Sequence, residues 1–324
     1  MKKIMITIAI PTYKRTDFLG MAVDSAVNQE GTEGISYEVI VIDNDAGEEV
    51  NETQKMLEER YSNHEVVYYK NPENVGLIGN LNRCLELARG KWVVLLHDDD
   101  MIDSNYLVRI KNYLDKYNTA KCIIPNVREI DEYGRIIKDS KKNRRNKKLP
   151  VRLNYHKVWK VKDWDNKVMN FNFYGPPSCG VLLNRKSSLN IGGFSESVGI
   201  MATDWDFFIR FSRIYNVYKL NEILGSYRWA VNTTLDVRKG SPKKQIEQHY
   251  AMLEKVYGDT NSKIYKKFKD LNIKMVSWEW CRRNPEASKY TLQNTFSGLE
   301  VSQFYIWAFL RRVYMYFREA FIVR

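Results

Sequence analysis

Four groups of residues in this chain have the types and spacing to do chemistry. The first is His97-Asp98-Asp99-Asp100, directly after the apolar residues 93–96. Consecutive carboxylates at a strand end repel one another unless a cation or hydrogen-bond donors offset them. Hard divalent cations take oxygen ligands and share their coordination with a substrate diphosphate. A strand leaving a buried sheet would hold such carboxylates still. A solvated turn capping the next helix is the plainer alternative, but Asp103 and Ser104 already suit that cap. The second group is Asp43-Asn44-Asp45, which follows the strand expected at 37–42. Asp43 and Asn44 can hydrogen-bond the polar edge of a base or a ribose; an ordinary Asx turn uses the same residues.

The third group spans residues 74–83, where Gly76 and Gly79 flank a helix start. Glycines there let backbone approach a diphosphate, helped by the helix N-terminus. The segment matches neither G-x-G-x-x-G nor a Walker sequence, and simple capping explains it nearly as well. The fourth is Thr203-Asp204-Trp205-Asp206 followed by Arg210. Two aspartates opening an amphipathic helix suit either a cap or a general base.

The elements around these groups alternate. Residues 4–10 form a nearly continuous apolar run, the pattern of a strand buried on both faces. Thr16 and Asp17 can cap a helix to about residue 29, with Phe18, Leu19, Ala22, Ala26 and Val27 on its apolar face. Strands are predicted at 37–42, 65–69 and 92–96, and helices at 48–61, 75–88 and 103–117. Such alternation predicts an α/β fold with a mostly parallel sheet covered on both faces. Ligands of such sheets bind beyond the carboxyl ends of the strands. Those ends are residues 11–13, 43–45, 71–79 and 97–100. Further strands are predicted at 122–125 and 181–183. A helix at 204–215 would turn Phe207, Phe208, Phe211 and Ile214 to a core. Beyond residue 241 only helices are expected, at 244–257, 261–283 and 301–321.

Taken in order, these segments resemble glycosyltransferase family 2, inverting transferases of the GT-A fold. Ile8-Ala9-Ile10-Pro11-Thr12-Tyr13-Lys14-Arg15 resembles the family's first strand and nucleotide loop. Glu38-Val39-Ile40-Val41-Ile42-Asp43-Asn44 is similar to its second nucleotide contact, and Asn74, Gly76 and Asn82 match the pattern at the following helix. His97 to Asp100 resembles its acidic metal motif. Gly192-Gly193-Phe194, then Thr203 to Asp206 and Arg210, resemble its acceptor-side segment. Tyr227-Arg228 resembles the segment that closes the transferase domain.

The resemblance implies donor contacts at Pro11, Thr12, Tyr13, Arg15, Asp43, Asn44, Gly76, Asn80, Asp98 and Asp99. It implies Mn²⁺ or Mg²⁺ on Asp99 and Asp100, with Asp98 in support, and a catalytic base at Asp204, with Asp206 as the alternative. The chain departs from the family at several positions. Asn44 stands where a second aspartate is usual, His97 where an aspartate opens the acidic motif, and Thr203 where a glutamate precedes the base. Gly225 replaces the glutamine of the processive Q-x-x-R-W signature, which implies one sugar per encounter. The implied donor is a UDP- or dTDP-sugar. The implied acceptor is a glycan hydroxyl, on a polyprenyl-diphosphate-linked oligosaccharide of bacterial surface polysaccharide.

Composition bounds these readings. With 324 residues, 44% apolar and 28% charged, the chain is not disordered or collagenous. No stretch approaches the ~20 apolar residues of a spanning helix. The N-terminus reads as a strand and not a signal peptide. Four scattered cysteines argue against a disulfide framework or a zinc site and suit the cytosol. The net charge is +12, and residues 138–152 hold eight basic residues against Asp139, a net of +7. Such a run is a solvated loop or a surface for something acidic. No nucleic-acid-binding motif accompanies it, so nucleic acid is not an expected partner. A GT-A-like nucleotidyltransferase is the other enzyme reading, but residues 11–15 lack its glycine-rich loop. Trp307, Leu310, Tyr314, Phe317 and Phe321 form one helical stripe flanked by arginines. That suits a helix packed on the domain or one lying in a membrane interface. The expected organisation is a GT-A domain at 1–235 and a helical extension at 236–324. Its expected place is the cytoplasm, at the inner face of the membrane.

Overall fold

The computed structural model describes residues 5–62, 66–137, 179–198 and 202–228, the backbone of 158–160, and scattered positions between 250 and 306. Strands β1 (Ile6–Thr12), β2 (Tyr37–Asp43), β3 (Val66–Lys70) and β4 (Trp92–Leu95) alternate with helices α1 (Thr16–Val27), α2 (Glu52–Tyr61) and α3 (Gly76–Leu87). There follow β5 (Met101–Ile102), α4 (Tyr106–Lys116), β6 (Cys122–Ile130), β7 (Val158–Lys160) and β8 (Val181–Asn184). Then come α5 (Arg185–Asn190), a 3-10 turn (Glu196–Val198), α6 (Thr203–Ile214) and β9 (Val217–Arg228). The strands join in one sheet of order β3-β2-β1-β4-β8-β6-β9-β5, with β7 also on β9.

The β3-β2-β1-β4 half is parallel, as the alternation predicts. Past β4 the sheet is mixed. β8 runs antiparallel to both neighbours, and only β6 and β9 pair in parallel. Side chains of β1 point alternately to two cores. Ile6, Ile8 and Ile10 meet Leu19 and Val23 of α1, Leu57 of α2 and Ile110 of α4. Ala9 meets Leu81 and Leu85 of α3 and Phe207 and Phe211 of α6. Burial on both faces is the reason the strand reads as an unbroken apolar run.

Several element starts differ from expectation. Arg15 occupies the N-cap of α1 without a side-chain cap bond, so neither Thr16 nor Asp17 caps it. α2 starts at Glu52 and not at residue 48, because Asn51 accepts from the Gln54 N–H. α4 starts at Tyr106; the Asp103 carboxylate pairs with Arg128 at 2.5 Å instead of capping. Ile214 is not a core residue: it is 67% exposed at the last turn of α6, where the Tyr215 ring packs on Phe211 instead, 5.1 Å away. β9, twelve residues long, has no clean two-residue alternation, because its pairing with β6 shifts register between Ile124 and Val127. Cys84, Cys122 and Cys179 are free and buried, and burial pushes their thiols well up.

Of the helices expected beyond residue 241, Tyr250 and Met252 are helical and buried. The basic run 138–152, the boundary at 235 and the stripe from Trp307 to Phe321 lie outside the described residues. No helix among the described residues is long and apolar enough to cross a membrane.

Candidate active site

β1 has β2 on one side and β4 on the other, both parallel to it, so the chain reverses its winding there. Open α/β sheets bind ligands in the crevice at such a switch point. The ladder of β1 with β4 ends at Ala9 and Leu95, whereas that with β2 continues to Thr12 and Asp43. Pro11, which has no N–H to offer a ladder, lies just past the last β4 pair. The mouth of the crevice is therefore formed by residues 11–15 on one side and 97–100 on the other.

Hydrogen bonds and charge join these two sides. Thr12 Oγ1 donates to Asp98 Oδ2 at 2.9 Å. Arg15 donates to Asp99 Oδ2 at 2.9 Å and lies 3.4 Å from Asp98 Oδ1. Lys14 holds a left-handed φ of +52° between them, a conformation costly for a residue with a Cβ. Its ammonium is 3.6 Å from Asp45, and Tyr13 is 44% exposed at the rim.

The acidic motif is a dense, buried charge. Asp98, Asp99 and Asp100 are all buried. Burial, followed by the charge of Asp99, pushes Asp98 up to about 6 in spite of Arg15. Burial and the same neighbour push Asp100 up to about 7. For His97, burial opposes the cation, but the combined charges of Asp100, Asp204, Asp99 and Asp98 outweigh it and raise its pKa. The charge of Asp204, at the start of α6, thus reaches the imidazole at the end of β4. Those two groups are 107 positions apart in sequence.

Asp43, Asn44, Gly76 and Asn80 knit the strand ends together. Asn44 Nδ2 donates to Asn74 Oδ1 (2.8 Å) and the Gly76 carbonyl (3.2 Å), while its Oδ1 accepts from Asn71 Nδ2 and the Val75 N–H, both at 3.0 Å. All four bonding positions of that amide are used within the chain. Asp43 accepts from Asn51, Tyr68 and the Asp45 N–H. Asn80 donates to the carbonyls of Thr12 and Ile42 and accepts from Asn71. Gly76 opens α3 at φ +72° with open space where a side chain would stand. Gly79 instead makes room for the Val75 side chain. The sequence reading had singled out neither Asn51 nor Tyr68; they hold Asp43.

A third segment comes from the acceptor side of the motif list. The Asn82 amide grips the Phe194 backbone at both ends, donating to its carbonyl (3.0 Å) and accepting from its N–H (2.8 Å). Gly193 lies against that amide at φ +64°, so a Cβ there would collide with Asn82 Oδ1. Arg210 binds the carbonyls of Ile191 (2.7 Å) and Gly193 (2.8 Å) and pairs with buried Asp206. Asp206 is thereby engaged in holding α6, whereas Asp204 is partly exposed on the first turn.

Arg228, which the sequence reading placed only in a closing segment, is fully buried behind the acidic motif. Its backbone N–H donates to Asp100 Oδ1 (2.9 Å) and its Nε to the Asp99 carbonyl (2.8 Å). Its guanidinium also stacks 4.7 Å from the Phe18 ring. The signal for it in sequence was a lone arginine at a strand end, which nothing local distinguishes.

The donor set fits a hard divalent cation completed by a ligand. Asp100 Oδ2 is buried with no hydrogen-bond partner, an orphaned anionic oxygen of the kind a cation satisfies. Among the described residues no three His, Cys, Asp or Glu side chains converge as a ready-made cage.

Comparison with known proteins gives the geometry its context. The profile of Glycosyl transferase family 2 matches residues 7–172. Chondroitin synthase of Escherichia coli is 23% identical over 269 residues, covering 81% of this chain and 34% of that protein. The chain spans 48%, 34% and 62% of the length of three curated relatives it matches. Staphylococcus aureus TarS 1–349, solved with UDP-GlcNAc, superposes with a TM-score of 0.61 at 14% identity, over 90% of this chain and 77% of that one. The mannosyltransferase PcManGT of Pyrobaculum calidifontis, solved with GDP-Man and Mn²⁺, superposes at 0.55 and 14% identity, over 98% and 88%. At that identity the superpositions establish the shared GT-A fold. The profile spans just over half of the sequence, from β1 through the acidic motif, and the chain belongs to glycosyl transferase family 2.

Proposed function

We propose that the chain is an inverting glycosyltransferase that moves one sugar from a nucleotide-sugar donor to a hydroxyl of a glycan acceptor. The observation that carries this reading is the electrostatic link from Asp204 on α6, through His97, to the three aspartates at the end of β4. It sets a partly exposed carboxylate beside a cation-demanding crevice. In this reading the donor diphosphate lies along residues 11–15, with Arg15 and the Asp98–Asp99 pair facing it. Asp99 and Asp100 would hold a divalent cation, which would supply charge to offset the departing diphosphate. Asp204 takes the proton from the acceptor hydroxyl as it attacks the anomeric carbon, a contribution of about 10²–10⁴-fold.

Asp43, Asn44, Gly76 and Asn80 shape the base pocket in this reading, mainly by fixing backbone, since their side chains are already bonded within the chain. UDP- or dTDP-sugars are the favoured donors. The UDP-GlcNAc of TarS supports a uridine donor, and the GDP-Man and Mn²⁺ of PcManGT widen the base choice and support a metal. Chondroitin synthase supports a polysaccharide acceptor. We extend this to a lipid-linked acceptor at the inner face of the membrane, with a transferase domain at 1–235 and a helical region at 236–324.

A thermal-shift panel of UDP-, dTDP- and GDP-sugars, each with Mn²⁺ and with EDTA, tests the reading. A donor at a hundredfold excess over Kd stabilises the native state by about 2.7 kcal/mol. A shift with one nucleotide class that vanishes in EDTA is expected. No shift with any donor in a well-folded sample would count against it.

A further inference from the structure

We propose that Arg15 is a resident counterion of the acidic motif, a positioning residue that resists a bare divalent cation and admits one only together with a diphosphate. The identity of that diphosphate rests on the transferase reading. Asp98, Asp99 and Asp100 place three buried carboxylates side by side just past β4, and such a cluster demands positive charge. Arg15 supplies it from across the crevice, donating to Asp99 Oδ2 at 2.9 Å and approaching Asp98 Oδ1 to 3.4 Å. Burial opposes the guanidinium charge, but the combined charges of Asp98, Asp99 and Asp100 outweigh it.

Nothing local accounts for an arginine at this position. Arg15 is the N-cap residue of α1, where a side chain that accepts hydrogen bonds is usual, and it makes no cap bond. A guanidinium only donates, and a cation at a helix N-terminus opposes the helix dipole. Lys14, just before it, holds a left-handed φ of +52° that the surroundings must impose. Thr12 on the same loop is bonded to Asp98 Oδ2 at 2.9 Å. The loop is thus set so that Arg15 reaches the carboxylates. Arg228, the other guanidinium at the motif, is suited to a different task. It is fully buried, and its donors hold the carbonyls of Asp99, Asp131 and Glu132. The Arg15 side chain is 26% exposed at the mouth, so it can move where Arg228 cannot.

An exchange of counterions follows from the charges. Asp100 Oδ2, buried without a hydrogen-bond partner among the described residues, still calls for a cation. A bare cation arriving beside Asp99 would meet the guanidinium, and like charges in close contact away from bulk water repel strongly. A diphosphate removes the conflict. Guanidinium groups take phosphate oxygens in a bidentate fork. Arg15 can then leave Asp99 for the diphosphate at the same mouth, which releases the carboxylate to the cation. Each ligand makes room for the other, and by linkage the gain in affinity is equal in both directions. The crevice thereby selects the metal–diphosphate complex over either part alone.

The test titrates Mn²⁺ into the full chain and reads the electron paramagnetic resonance signal of free Mn²⁺, first without nucleotide. Arg15→Gln, neutral but still able to donate to Asp99, is expected to bind Mn²⁺ about tenfold more tightly than wild type. Arg15→Lys, which keeps the charge, is expected to bind it like wild type. A merely structural role for Arg15 predicts the opposite sign, because a disturbed motif loses metal affinity. The titration is then repeated with UDP, dTDP or GDP, against protein-free nucleotide controls. The recognised nucleotide is expected to raise the Mn²⁺ affinity of wild type about tenfold or more, and that of Arg15→Gln by clearly less. Thermal melts establish that the variants are folded. If Arg15→Gln melts early, a larger rise in its Tm with Mn²⁺ than wild type shows reads the same tightening. Equal or weaker binding of Mn²⁺ alone by Arg15→Gln overturns the proposal and leaves the transferase reading in place, as does an undiminished nucleotide effect in that variant. Failure of wild type and Arg15→Gln to bind Mn²⁺ under any of these conditions overturns the transferase reading and this proposal with it.

Discussion

Asp204 and Asp206 are two residues apart, yet the fold gives them different environments. Asp206 is buried and bound to Arg210, whose other donors hold the Ile191 and Gly193 carbonyls. Asp204 is partly exposed, with its charge felt at His97. The resemblance implied Asp204 as the base with Asp206 as the alternative, and residue type alone does not separate the two. Asp204→Asn is expected to lower turnover about 10²–10⁴-fold while leaving the donor-induced thermal shift intact. Near-wild-type turnover would remove Asp204 from the role. Asp99→Ala is expected to abolish the difference between donor shifts in Mn²⁺ and in EDTA. Titration calorimetry of the donor with and without Mn²⁺ checks this; a persistent metal dependence would move the cation to other ligands.

At the scale of elements, amide side chains do the joining. Asn82, on α3, satisfies both backbone groups of Phe194 and so fixes the segment that leads into α6. The Phe194 ring then stacks on Phe207 of α6 at 4.2 Å. Asn82→Ala is expected to cost about 1–3 kcal/mol in urea unfolding, since it leaves a partly buried N–H and carbonyl without their partner. A loss below about 0.5 kcal/mol would mean that water replaces the amide and that the joint is not structural. The asparagines at 44, 71, 74 and 80 illustrate a limit of local reading. Their types suit turns and ligands equally, and only their mutual distances assign them to bonds within the chain.

At the scale of the whole molecule, Arg228 is the point where distant parts meet. It touches Phe18 and Met21 of α1, the Asp99 carbonyl, the Asp100 carboxylate, and the turn at Asp131 and Glu132. Burial pulls its pKa down, countered by the charges of Asp99, Asp100 and Asp131. Arg228→Lys keeps the charge but not the planar fork, so it cannot reach three carbonyls in different directions. It is expected to destabilise the protein by about 1–3 kcal/mol, as leaving buried carbonyls without their donors does. Chemical denaturation measures this directly. A lysine variant as stable as wild type would show that a point charge suffices behind the acidic motif.

The sequence by itself determined the strand–helix alternation from β1 to α4, because burial on both sheet faces leaves unbroken apolar runs and the covering helices leave a periodic stripe. It also marked the strand ends at residues 11–13, 43–45, 71–79 and 97–100 as the places for chemistry, since carboxyl ends of parallel strands open into a crevice. It did not determine β9, whose register shifts against β6 erase the two-residue period. Nor did it place Arg228 behind the acidic motif, or show Asp206 buried against Arg210 while Asp204 is partly exposed. The contacts of Arg228 with Asp99 and Asp100 span more than a hundred positions of chain, and such contacts leave no local pattern. Only the tertiary structure, by closing β9 behind the acidic motif and bringing α6 up to it, decided which charges face the crevice and which hold it together.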